Sequence, residues 1–277
     1  MGGGLTDCAW AVAHLNLDQL AESGQVFRWT HRGDGSYAIP AGERFCVARQ
    51  TARDRLHIRC SAADEGFWQE YFGMNDPYDA YWQTLQAWAE QDGPEAYLSR
   101  AARVADGVRV LRQPTWETMV SFVISQNNNI PRIKKSVEAL CRQYGTHRVT
   151  ADGDAYDSFP PPQALAPADL SRLGLGYRDL YITHLSRAAL DGGLPANLRD
   201  MDYADAKTAL KSVHGIGEKV ASCILLYGLG HLEAFPIDTW IRRILDREFE
   251  DGFPAGRYAG FEGLVQQLMF YYERSVQ

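Results

Sequence analysis

Apolar positions along this chain follow two periods. Up to residue 73 they come in short runs with strand character. These runs are Val26 to Thr30, Tyr37-Ala38-Ile39, Arg44 to Thr51, and Arg55-Leu56-His57-Ile58-Arg59-Cys60. The last alternates polar and apolar, as a strand with one buried face does. Ser23-Gly24 and Gly33-Asp34-Gly35-Ser36 supply turns between runs, and Gln69 to Gly73 begins a change to helix. From Pro77 onward, apolar residues recur three and four apart: Tyr81, Leu85 and Trp88; Met119, Phe122 and Val123; Ile133, Val137, Leu140 and Cys141. Prolines mark helix starts at Pro94, Pro114 and Pro131, where a first-turn proline is tolerated. Residues 107–113 read as a connection, Asn127-Asn128-Asn129 as a helix break, and 150–162, ending in three prolines, as a loop. The pattern predicts an α+β fold: a small antiparallel sheet domain over residues 1–113, joined to a mostly helical domain over 114–277.

One stretch organises the helical part. Ala206 to Val213 reads as a short helix, Gly215 and Gly217 as a tight turn, and a second helix starts near Glu218. That helix carries Val220, Cys223, Ile224 and Tyr227 on one side. Glycine enters left-handed backbone space without a Cβ penalty, and bare glycines let another backbone come close. The order apolar-x-Gly-apolar-Gly-x-Lys resembles the helix-hairpin-helix motif of DNA-binding proteins. Asp238 follows Lys219 by nineteen residues, in Phe235-Pro236-Ile237-Asp238-Thr239. Asp238 is also placed to N-cap a helix over 239–247. The Lys219/Asp238 pair at this spacing resembles the base-excision DNA glycosylases, whose lysine is a nucleophile and whose aspartate is its partner.

Composition narrows the class. The chain has 277 residues, 45% hydrophobic and 23% charged, as expected for a globular protein. No apolar run reaches membrane-spanning length, and the first twenty residues lack a basic leader region. The five cysteines contain no CxxC pair, so neither a zinc site nor a C-terminal iron–sulfur cluster is expected, and the chemistry below requires no metal or cofactor. The thiols suit a reducing compartment: the cytoplasm, at the nucleoid in a bacterium, or the nucleus in a eukaryote. A formal charge of −7 opposes indiscriminate nucleic-acid binding. Arg132, Lys134, Lys135, Arg242 and Arg243 nevertheless form local basic clusters, so a monomer with a small basic footprint on an acidic body is expected.

Five separated stretches extend the resemblance over nearly the whole chain. They are Ser23-Gly24-Gln25-Val26-Phe27-Arg28-Trp29, Gly107 to Gln113, Ser125-Gln126-Asn127-Asn128-Asn129-Ile130-Pro131-Arg132-Ile133, Gly174-Leu175-Gly176-Tyr177-Arg178, and the hairpin. In this order they resemble the 8-oxoguanine DNA glycosylase/lyase family. The resemblance implies removal of 8-oxoguanine opposite cytosine from double-stranded DNA. The nucleotide is flipped out, Lys219 attacks C1′ and forms a Schiff base, and β-elimination nicks the strand. Asp238 would stabilise charge developing on the sugar. The carbonyl of Gly24 would accept N7–H of the damaged base, Cys223 and Phe270 would lie against its two faces, and Gln266 would read its Watson–Crick edge, with Gln267 as the rival. Asn127, Arg132 and Arg178 would address the orphaned cytosine, Tyr177 would wedge the stack, and Gly215 and Gly217 would admit the DNA backbone. Two positions depart from the family pattern: Pro131 replaces a small residue, and Trp240 a histidine. Two other readings remain. One is a glycosylase for alkylated purines, which usually acts through aspartate and water without the lysine. The other is a non-catalytic helix-hairpin-helix DNA-binding protein, which would need neither Asp238 nor the Gly24 region.

Overall fold

The computed structural model describes residues 5–87 and 94–276; Trp88 lies outside them. The sheet is built from β1 (Leu5–Ala11), β2 (Thr30–His31), β3 (Tyr37–Ala41), β4 (Arg44–Ala52) and β5 (Arg55–Ser61). It is antiparallel throughout, in the order β1-β5-β4-β3-β2. Ile39 faces Cys46, Cys46 faces Cys60 and Ala48 faces Ile58. These residues, with Leu56, are fully buried, which is the inward half of the alternation. Their face is covered by α1 (Leu17–Glu22) and α2 (Glu65–Tyr71), through Leu17, Leu20, Trp68 and Phe72.

The helical part comprises α3 (Tyr78–Gln86), α4 (Pro94–Val104), α5 (Thr115–Ile124), α6 (Ile130–Tyr144), α7 (Pro162–Leu165), α8 (Arg178–Leu190), α9 (Tyr203–Ser212), α10 (Glu218–Ile224), α11 (Thr239–Glu248) and α12 (Glu262–Ser275). A π-helical turn, Leu225–Leu229, continues α10. At its centre α5 packs on α10 and this turn. Gly228 permits the contact, because a Cβ there would lie 3.1 Å from Thr118 Cβ. The α3 and α4 helices precede residue 113 in the chain but share this helical core.

Several elements differ from the sequence reading. Residues 26–29 are not a strand, although they are buried. Val26 and Trp29 point into the sheet core, whereas Phe27 points into the helical core and meets Phe122 at 5.6 Å between ring centroids. The connection before α5 is split in the same way: Val108 and Val110 face the helices and Leu111 the sheet. An apolar run that fills two cores at once imitates a strand. The unanticipated β1 pairs with β5 along its whole length, but its partly exposed edge position leaves little apolar alternation. The unanticipated α1 is capped by the Asn16 side chain, which accepts from Gln19 N at 3.0 Å. The loop predicted over 150–162 contains half of a two-stranded hairpin, β6 (His147–Val149) with β7 (Ala155–Asp157). Tyr156 of this hairpin stacks on Phe45 at 4.9 Å.

One buried ion pair ties the two parts together. Arg28 Nη1 donates to Glu117 Oε2 at 2.9 Å, and the same oxygen accepts from Gly42 N at 2.7 Å. Both side chains are less than a tenth exposed. Burial alone would lower the Arg28 guanidinium; the Glu117 carboxylate outweighs it and holds arginine above its ordinary range. Removing one partner leaves an uncompensated buried charge. Glu117→Ala is therefore expected to lower unfolding stability by about 3–5 kcal/mol, seen as an earlier urea midpoint.

Candidate active site

A cleft opens where the N-terminal turn, α5, α10, the segment before α11, and α12 converge. It is lined by Gly24, Phe122, Lys219, Cys223, Tyr227, Pro236, Asp238, Gln266, Gln267 and Phe270. Lys219 is the second residue of α10 and half-buried. Its Nζ lies 5.3 Å from the Phe122 ring centroid and within hydrogen-bonding reach of the Cys223 thiol, one turn further on. Burial pushes that thiol up, and the nearby Lys219 opposes the rise. Asp238 caps α11, with Oδ1 accepting from Ile241 N at 2.9 Å. This leaves Oδ2 for the cleft, so capping and cleft-lining coexist in one carboxylate.

The opposite wall comes from two distant segments. Gly24 has φ +81°, and a Cβ there would lie 2.9 Å from Phe270 Cε1. Glycine is thus required twice, by backbone conformation and by contact with the ring. Gln266 and Gln267 are both buried. Their amides differ in partners: Gln267 Oε1 accepts from Gln25 Nε2 at 3.3 Å, whereas Gln266 Oε1 has no protein partner. A buried amide oxygen left unpaired on a cleft wall is costly unless a ligand completes it. Phe122, Tyr227 and Pro236 also line the cleft but were not singled out from sequence as site residues. Phe122 stacks on Tyr227 at 5.2 Å. Their helical spacing signals burial and does not distinguish a core wall from a cleft wall.

The other candidate residues form a second cluster. Asn127 is exposed, and its Nδ2 donates to Tyr177 Oη at 3.0 Å. Tyr177 is 44% exposed, so its ring stands out from the core. Arg132 is exposed, its backbone capped by Asn129 and its Nη2 donating to Gly174 O at 3.2 Å. Arg178 is 5% exposed. It donates from Nε to Gln126 O at 2.8 Å, from Nη2 to Asn127 O at 3.0 Å and from Nη1 to Leu175 O at 2.9 Å. In this state Arg178 holds the asparagine turn. Gln126 Nε2 donates to Gly215 O at 3.0 Å, which ties that turn to the hairpin.

The hairpin glycines differ from each other. Gly215 has φ +95°, and a Cβ there would lie 2.5 Å from Tyr181 Cγ. Gly217 has φ −88° and ψ −178°, extended backbone that any residue adopts, with open space around its Cβ position. The left-handed conformation expected at both is needed only at Gly215, while Gly217 leaves the surface bare.

An amine and a carboxylate on one cleft, faced by an unpaired amide and an aromatic ring and flanked by a helix-hairpin-helix, suit excision of a base from DNA. Comparison with known proteins narrows this class. Residues 9–119 match a family described as 8-oxoguanine DNA glycosylase, N-terminal domain. The chain is 36% identical over 268 residues to a Saccharomyces cerevisiae protein named N-glycosylase/DNA lyase, covering 86% of this chain and 69% of the yeast protein. A solved structure described as MBOgg1 in complex with a low affinity DNA ligand is 31% identical. It matches with a TM-score of 0.88 over 100% of this chain and 99% of that one. The Clostridium acetobutylicum 8-oxoguanine glycosylase/lyase, bound to double-stranded DNA containing cytosine opposite 8-oxoguanine, shares the fold. Its TM-score is 0.86 at 24% identity, over 99% of each chain. The chain belongs to the 8-oxoguanine DNA glycosylase/lyase family.

Adding a methyl group should separate the two hairpin glycines. Gly215→Ala meets both the Tyr181 ring and a positive φ, and is expected to cost about 1–3 kcal/mol. Gly217→Ala should stay within about 1 kcal/mol of wild type, because the backbone gain of alanine and its poor fit as the N-cap of α10 oppose each other. Thermal melts of the two variants check this.

Proposed function

We propose that this protein excises 8-oxoguanine opposite cytosine from double-stranded DNA and then cleaves the strand as an AP lyase, in base-excision repair. The reading rests above all on one observation: Lys219, Asp238, Cys223, Gly24, Gln266 and Phe270 share a single cleft. The damaged base carries N7–H where guanine has a lone pair. The Gly24 carbonyl would accept from the first and repel the second. Phe270 and Cys223 would hold the ring between them, and Gln266 would take the Watson–Crick edge, which the unpaired state of its Oε1 supports. Gln267 is already engaged by Gln25, which favours Gln266 as the reader.

The Lys219 lone pair attacks C1′ as the C1′–N9 bond breaks, and the base leaves with the bonding electrons and takes up a proton. Asp238 stabilises the positive charge that develops on the sugar. Loss of the amine protons and opening of the sugar ring give a Schiff base. Removal of a C2′ proton then expels the 3′ phosphate by breaking C3′–O. Asn127, Arg132 and Arg178 would contact the orphaned cytosine, and Tyr177 would fill the vacated stack. Contact by Arg178 requires it to exchange a carbonyl partner for the base. The protein would act as a monomer wherever the cell keeps its DNA, the nucleoid or the nucleus.

Incubation with an 8-oxoguanine·cytosine duplex and sodium borohydride should give a covalent protein–DNA band that is lost in Lys219→Gln. Base release without a band would mean a monofunctional glycosylase and remove Lys219 from its role. Neither band nor release from this duplex, with release from an alkylated-purine duplex, would transfer the protein to that substrate class.

A further inference from the structure

The base slot has walls from opposite ends of the chain: Gly24 follows α1, whereas Gln266 and Phe270 sit on α12. Something must set their separation, because a shift of about 1 Å in a recognition site can cost 10²-fold in rate. Arg274, in the last turn of α12, touches both walls. Its guanidinium lies 5.4 Å from the Phe270 ring centroid, one helical turn back. Its Nη1 donates to Glu22 O at 2.7 Å, and Glu22 is the last residue of α1, two before Gly24. The carbonyls of a last helical turn have no partner within the helix, and a cation there is also favoured by the helix dipole. Phe270 in turn touches Gly24, whose absent Cβ makes room for the ring.

We infer that Arg274 is a positioning residue for base recognition, bracing the Gly24 turn against the α12 face that reads the base. The inference rests on the function proposed above. It concerns only the flipped base, so it separates recognition of 8-oxoguanine from chemistry at the sugar. A preformed abasic site presents C1′ to Lys219 with no base to be read.

The test compares wild type, Arg274→Met and Arg274→Lys under single turnover. One duplex carries 8-oxoguanine opposite cytosine; the other carries an abasic site at the same position. Methionine keeps an apolar stem but loses the donor and the cation over the ring, whereas lysine keeps the charge. Arg274→Met is expected to slow 8-oxoguanine release by about 10- to 100-fold while borohydride crosslinking to the abasic duplex stays within about twofold, with Arg274→Lys intermediate on release. Equal loss on both duplexes would mark Arg274 as merely structural, and unchanged release in Arg274→Met would leave it no role; either result overturns the inference alone. Wild type that reacts with neither duplex overturns the proposed function and the inference together.

Discussion

The buried amide of Gln25 is the constraint on which the cleft depends. Gln25 is fully buried, so each of its polar atoms must find a protein partner. Its Nε2 donates to Ser23 Oγ, Arg109 O and Gln267 Oε1, and its Oε1 accepts from Leu111 N at 2.8 Å. Its backbone carbonyl accepts from Gln113 Nε2, and Gln113 N donates to Tyr227 O, each at 2.8 Å. Two glutamines thereby fasten the N-terminal turn to the connection before α5, to the π-turn after α10, and to α12. Gly24 has little freedom beside such a neighbour, held by a network that reaches into the cleft wall through Gln267 and Tyr227. Arg109 completes the frame, stacking on Tyr78 at 4.1 Å and donating to the carbonyls of His14, Phe72 and Gly73.

This economy of cations bears on how an acidic chain meets DNA. Arg28, Arg109 and Arg178 are buried or nearly so, and are occupied with internal carboxylates and carbonyls. Lys207 and Lys211 both pair with Glu218 at the start of α10, and the two lysines hold that carboxyl below its usual range. Arg132, Arg242 and Arg243 remain exposed.

The residues of the cleft were more legible in the sequence than the details of the architecture. Lys219, Asp238 and the hairpin could be singled out because their spacing resembles a family pattern, and the structure brings Lys219 and Asp238 to one cleft. The α+β division was legible because apolar periodicity changes near residue 73. Residues 26–29 misled because they serve two cores, and a two-sided apolar run has no period to read, whereas 107–113 form the connection that was expected. The wall roles of Phe122 and Tyr227 were hidden for a related reason: a ring facing a cleft and a ring facing the core have the same spacing. Nor could sequence show how Gln266 and Gln267 differ in partners, since Gln267 is engaged by Gln25, more than two hundred residues away. The hairpin β6/β7 was lost behind three prolines that begin only after it ends.

The asparagine turn carries a consequence of its own. Asn127 has φ +46°, one of two non-glycine residues with positive φ among those described. Asparagine tolerates that region better than most residues, but glycine tolerates it at no steric cost. A chain optimised only to stay folded would place glycine here. It would gain a more relaxed turn, still anchored by Arg178, and lose the amide that reaches Tyr177. At this position an unstrained backbone and the Asn127–Tyr177 hydrogen bond pull in opposite directions, so a heat-hardened version of the protein obtained by relieving its strained backbone would give up that contact first.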